Sequence, residues 1–136
     1  MARASMITQL TCRLESRVGL LAVISGRLAE AGVNISALIA YEEDDVGEFT
    51  LVCDDTTAAA EVLSGLGAEV DEESAVSVEM ENKAGALAEV SEKIAEAGVN
   101  ILYTYATACG DTCDCTHATV VLHTDDDTRA FQALSS

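Results

Sequence analysis

The chain has 136 residues, 24 of them Asp or Glu and only 7 Lys or Arg, for a formal net charge of −17. A surface this negative repels phosphate backbones and anionic headgroups, which excludes nucleic acid and membrane surfaces as partners. Hydrophobic residues reach 49% while aromatics stand at 4% with no Trp, so the expected core is aliphatic and the chain is not a disordered tail.

Residues 1–6 lack the apolar centre of a secretory leader and read as a short disordered lead-in. No apolar run approaches the ~18 residues of a membrane-crossing helix. Residues 6–14 read as a strand. The stretch 15–35, ESRVGLLAVISGRLAEAGVNI, then recurs at 81–101 as ENKAGALAEVSEKIAEAGVNI, at a constant offset of 66 and with 12 of 21 positions identical. The chain is therefore a tandem duplication. In each copy a glycine, Gly19 or Gly85, opens a helix. The expected apolar stripes are Leu21, Ile24, Leu28, Ala31 and Leu87, Val90, Ile94, Ala97, at helical spacing. Gly32 and Gly98 sit where a glycine ends a helix, and Val33-Asn34-Ile35 and Val99-Asn100-Ile101 begin the next strand. In the first copy a polar turn at 42–47 leads to a strand at 48–53, a helix at 56–63 and a short strand at 68–70. In the second copy Val76, Val78 and Met80 alternate with Ser77 and Glu79 over 75–80, which is strand period.

The order β-α-β-β-α-β folds as an antiparallel sheet with two helices on one face, an α+β ferredoxin-like unit. Domain limits are expected at 6–72 and 73–136. In the second copy the third strand reads as 116–123 and the second helix starts near Asp127-Thr128. Matching these to Asp55-Thr56 gives an offset of 72 and six inserted residues. A fourth strand would then fall near position 140. The 136 residues end before it, so the second unit is expected to lack that strand, and either another segment or subunit covers the open edge or the sequence is a shortened one.

Taken together, Ser16-Arg17-Val18-Gly19 with Gly32-Val33-Asn34-Ile35, and Asn82-Lys83-Ala84-Gly85 with Gly98-Val99-Asn100-Ile101, resemble the ACT domain family over about residues 6–136. The resemblance implies a stand-alone tandem pair of small βαββαβ regulatory modules that bind a free amino acid. It implies no cofactor and no catalytic activity, but a probe of metabolite level that acts through assembly with itself, as a homodimer, or with a regulated enzyme. The family usually carries Pro before the loop glycine; here Val18 and Ala84 stand there.

The loop has its own physical case. A loop running into a helix start exposes N–H groups that the helix does not use, and the helix dipole adds about half a positive charge. Together these suit a carboxylate, and glycine permits close approach. The candidate ligand residues are Asn82, Lys83, Ala84, Gly85, Ala86, Leu87 and Asn100 in the second copy. In the first they are Ser16, Gly19, Leu20 and Asn34. Asn residues at positions matching Asn82 and Asn100 hold the ligand in serine-sensing members of the family. The competing readings are a helix cap for Asn82 and turn conformation for Asn34 and Asn100.

The insertion carries Cys109, Cys113, Cys115 and His117. The last three have period-2 spacing and share one face of a strand, so a soft metal, a labile disulfide or incidental thiols on an exposed hairpin all fit. Five Cys without a leader suit a reducing cytoplasm. Cys12 and Cys53 read as small core residues, and the acidic runs at 42–45 and 125–127 as solvated turns. The function expected is an amino-acid-binding regulatory protein; the alternatives are a metal or thiol sensor on the 109–117 hairpin, or a ligand-free assembly subunit of an amino-acid biosynthetic enzyme.

Overall fold

The computed structural model describes residues 2–108 and 116–135. Its elements are β1 (Arg3–Glu15), α1 (Leu20–Glu30), β2 (Ile35–Glu43), β3 (Val46–Cys53), α2 (Thr56–Gly65), β4 (Glu69–Glu81), α3 (Ala86–Glu96), β5 (Ile101–Ala108), β6 (His117–Thr124) and α4 (Asp127–Ser135). They form two compact units, Thr8–Glu73 and Met1–Ile7 with Ser74–Ser136. In the first unit the strand order is β2-β3-β1-β4, and in the second it is β1-β4-β6-β5. All six strands are antiparallel to their neighbours, and each unit is α+β in the ferredoxin-like pattern.

Two strands differ from expectation. The short strand at 68–70 and the strand at 75–80 are one 13-residue strand, β4. The lead-in is not disordered: β1 begins at Arg3. The two differences have one cause. The second unit has no fourth strand after α4 among the described residues, and residues 3–7 of β1 take that place beside β4. Arg3 donates to Glu79 at 2.8 Å, and Ala2 and Ala4 pack on the second unit's core. In the first unit Gln9, fully buried, donates to Glu73 at 3.3 Å.

Cores follow the strand and helix periods. In the first unit Leu10 and Cys12 of β1, with Phe49 and Leu51 of β3, form one sheet face under Leu20, Ile24 and Leu28 of α1 and Ala59 and Leu63 of α2. In the second, Val76, Val78 and Met80 with Val120 and Leu122 lie under Val90 and Ile94 of α3 and Ala130 and Leu134 of α4. Full burial of each such aliphatic side chain contributes about 1.5–3 kcal/mol. The stripes start one residue earlier than expected. Leu20 and Ala86 are buried, whereas Leu21 and Leu87 are 48% and 52% exposed, because helical side chains lean back over the preceding turn. Ala31 is exposed too, and Val33 and Val99, just past each helix, are buried instead.

The first hairpin turns on Asp44 and Asp45, at φ 51° and 64°, the positive values that a two-residue turn between twisted strands requires. The insertion in the second hairpin is five residues, not six. Asp55 caps α2 by accepting from the Ala58 amide, and Asp126, not Asp127, does so for α4 by accepting from the Arg129 amide. The offset after the insertion is therefore 71.

Candidate functional site

Each loop is held at its first residue by the neighbouring hairpin. The Ser16 amide donates to the Asp45 carbonyl at 2.8 Å, and the Asn82 amide to the Thr116 carbonyl at 2.7 Å. Each loop then closes a tight turn, Leu20 N–H to Arg17 O and Ala86 N–H to Lys83 O, both at 3.3 Å. The helix caps are Gly19 at φ 84° and Gly85 at φ 90°, and no side chain caps either helix. Only glycine adopts that conformation freely. The next amides, Leu21 and Ala22 in one unit and Leu87 and Ala88 in the other, donate to no protein acceptor among the described residues. These N–H groups, with the positive end of the dipole, face outward together.

The side chains differ between the copies. The Ser16 hydroxyl donates to the Glu42 carboxylate, so it is already engaged, and Leu20 is buried in the core. Asn82 and Ala84 are exposed and Asn82 makes no cap. Lys83 pairs with Glu81 at 2.9 Å; that hydrogen bond raises the lysine pKa and lowers the glutamate's. Asn34 and Asn100 do not supply a left-handed turn, since Gly32 and Gly98 do so. Their main chains are fixed by aspartates instead. The Asn34 amide donates to Asp54 Oδ1 at 2.9 Å and the Asp54 amide returns to Asn34 O at 3.1 Å; Asn100 and Asp125 repeat this at 3.0 Å both ways. The two Asn side chains are left exposed.

Asn82 and Asn100 lie at opposite ends of α3. Eleven residues at 1.5 Å rise separate them by roughly 16 Å, too far for one amino acid to touch both within one chain.

Recesses flank the loops. In the first unit one of about 350 Å³ is lined by Leu14, Arg17, Leu20, Val23 and Leu66. Another of about 320 Å³ lies between Gly19, Leu21, Tyr41 and Glu42. In the second unit a recess of about 450 Å³ lies between Met80, Lys83, Val90, Lys93 and Leu134. Lys93 and Leu134 were not among the sequence candidates. The signal for Lys93 was its place on the same helix face as Val90; nothing local marked Leu134.

Cys109, Cys113 and Cys115 lie outside the described residues. His117 is exposed, its Nδ1 at 3.2 Å from Thr116 Oγ1. Among the described residues no three His, Cys, Asp or Glu side chains gather to hold a metal ion. Burial raises the Cys12 thiol pKa to about 11, and burial together with Asp54 raises that of Cys53. Asp127 anchors α4. Its Oδ1 accepts from the Thr124 amide at 2.8 Å and hydroxyl at 2.7 Å, and its Oδ2 from Ser74 Oγ at 2.6 Å. His123 Nδ1 lies 2.9 Å from the Ser74 carbonyl, which can only accept, so that nitrogen carries the proton. The Ser74 hydroxyl donates to the carboxylate rather than to the imidazole, the arrangement of a structural latch and not of an activated nucleophile. No described helix is long and apolar enough to cross a membrane.

Among curated proteins nothing matches the chain. Among solved structures it is similar to protein BT0572 from Bacteroides thetaiotaomicron, at 28% identity and a TM-score of 0.86, covering 97% of this chain and 88% of that one. It is also similar to the regulatory subunit of aspartate kinase from Thermus flavus, at 17% identity and a TM-score of 0.64, covering 98% and 94%. The ligand-free Thermus thermophilus subunit gives 17%, 0.66 and the same coverage. At 17% identity these two show a shared fold. A family model described as ACT domain pair matches residues 5–134, and the chain belongs to that family.

Proposed function

We propose that the protein is a regulatory module that binds a free amino acid at the start of α3 and has no catalytic activity of its own. The observation that carries this is the pair of outward amides, Leu87 and Ala88, behind an uncapped, left-handed Gly85. They suit a carboxylate, and a zwitterion is penalised by the −17 field less than a di-anion is. Asn82, exposed beside the loop, reaches the ligand's polar groups. Asn100, roughly 16 Å away along α3, contributes only from a second copy. Ligand binding is therefore coupled to homodimer formation: the assembly state that juxtaposes the two ends of α3 is the one that the ligand stabilises. A regulated enzyme is the natural partner for such a switch, as the aspartate kinase regulatory subunits of this fold suggest by their names.

Thermal shift against the twenty amino acids, at low and high salt, tests this. A specific ligand at a hundredfold excess over its Kd adds about 2.7 kcal/mol of stability. The ligand raises the dimer fraction in sedimentation, and Asn82→Ala and Asn100→Ala each abolish that rise. A panel with no shift overturns the proposal; ligand-induced dimerisation that survives both substitutions overturns the site.

A further inference from the structure

The duplication supplies an internal comparison at the recess under each helix start. In the first unit Leu20 lies against Gly47: a Cβ added there would stand 2.9 Å from Leu20 Cδ2. Gly47 faces Leu14 across β1 and β3, and Ala118 faces Met80 across β4 and β6. At the matching places the second unit has Ala86 and Ala118, so a Leu–Gly pair has become Ala–Ala, with two fewer side-chain carbons. The recess there is about 450 Å³ against about 350 Å³.

Its rim has also changed. Glu89 stands where the first copy has Val23, and Lys93 faces the recess in place of Arg27, which does not line its counterpart. Lys93 makes no ion pair among the described residues. Three of the chain's seven cations, Arg3, Lys83 and Lys93, border this one recess. Arg3 is taken by Glu79 and Lys83 is shared with Glu81, which leaves Lys93 as the open charge. The floor, formed by Met80, Ala86, Val90 and Leu134, offers no polar partner.

We infer that this recess is a second binding site, complete within one chain, for a free aliphatic α-amino acid. The carboxylate lies on Lys93 with help from Lys83, the ammonium on Glu89, and the branched side chain on Met80, Val90 and Leu134. Opposite charges about one helical turn apart select a zwitterion over a plain acid or amine. An apolar floor rejects a polar side chain, whose groups would be stranded without partners.

Calorimetric titration of the full chain tests the site with L-leucine, 4-methylpentanoate, which lacks the ammonium, and 3-methylbutylamine, which lacks the carboxylate. Leucine binds and each truncated analogue binds at least tenfold more weakly. Lys93→Gln and Glu89→Gln each weaken leucine at least tenfold. Ala86→Leu with Ala118→Gly, which restores the first copy's packing, abolishes binding, while Asn100→Ala leaves this site unchanged. Absence of leucine binding, or binding indifferent to Lys93→Gln, overturns the inference. Should the packing variant not fold, Lys93→Gln, at a position outside the core, decides alone. Loss with Asn100→Ala but not with Lys93→Gln refutes the recess while leaving the helix-start proposal standing.

Discussion

Gly47→Ala is the sharpest test of how the first unit's core is packed. The new methyl would stand 2.9 Å from Leu20 Cδ2 and 3.2 Å from Phe49 Cε1, where carbons prefer ~3.5–4.0 Å. Both neighbours are buried, so several tenths of an ångström must be absorbed inside the core. Overpacking by a methyl costs about 1–3 kcal/mol, and the lower half of that range, about 1.5–2 kcal/mol, applies because Leu20 Cδ2 is the end of a side chain. Replacing glycine also restricts the unfolded chain, which returns about 0.4–1 kcal/mol. The single variant is thus destabilised by about 1 kcal/mol. Leu20→Ala alone costs about 2–4 kcal/mol by deletion and cavity. In the Leu20→Ala background the clash is gone, and Gly47→Ala becomes neutral or stabilising by about 0.5–1 kcal/mol. The coupling is then about 1–2 kcal/mol, beyond the ~0.5 kcal/mol scatter of independent sites. Urea titration of the four proteins, followed by circular dichroism and by amide exchange at Leu10 and Leu51 in the first unit's core, measures it. Additivity within about 0.5 kcal/mol would refute the claim that Leu–Gly and Ala–Ala are alternative solutions to one packing problem.

Other predictions follow from single residues. Gly85→Ala meets no atom within 4 Å but keeps φ near 90°; the left-handed backbone alone costs about 1–2 kcal/mol, and a melting temperature that rises would contradict it. Burial pushes the Asp127 carboxyl pKa up, but hydrogen bonds from Ser74 and Thr124 outweigh burial and hold it below the ordinary value. Its contribution is therefore present above the unfolded pKa of ~3.9 and lost as pH falls through the lower folded value. Asp127→Asn should lower stability at neutral pH and flatten the loss below pH ~4 in acid titrations of the second unit. With its pKa near 11, Cys12 holds roughly one thiolate in a thousand at pH 8; iodoacetamide and peptide mass spectrometry should find it unlabelled in the native protein and labelled in urea.

The repeat, the helices and the glycine starts were legible because each rests on local spacing. The stripe was misplaced by one residue where the pattern was locally ambiguous. Leu20 and Leu21 are both apolar, and in the second copy Ala86 is so small that Leu87 carries the period. β4 was split because residues 71–74, Asp-Glu-Glu-Ser, break the alternation; its continuity comes from pairing with β1, more than 60 residues earlier in sequence. The insertion length was set by which aspartate caps α4, and Asp125-Asp-Asp127 offers three equivalent letters. The recess was hidden for a similar reason: its walls come from residues 2–4, 80–93 and 134–135, and no window contains them all.

The least local feature, residues 3–7 of β1 serving the second unit, is also the most exposed to test. Deleting residues 2–7 removes the partner along one edge of β4, together with the Arg3–Glu79 pair and the packing of Ala2 and Ala4. The exposed ion pair contributes at most ~1 kcal/mol; the strand's own hydrogen bonds matter more. In an antiparallel strand, successive residues direct their amides to opposite neighbours. The pairing to β6 over 76–81 is untouched, so the deletion should free every second amide of β4 in this stretch and leave the alternate ones protected. Hydrogen exchange resolves this: a tenfold or greater acceleration at alternating positions between 75 and 80, with Leu10 and Leu51 still protected, is the expected signature. A synthetic peptide of residues 2–7 should slow the freed amides again, and the unpaired edge should raise the tendency to aggregate. Uniform protection after deletion would mean that β4 keeps its hydrogen bonds without β1, and the second unit would then close its sheet by some other segment.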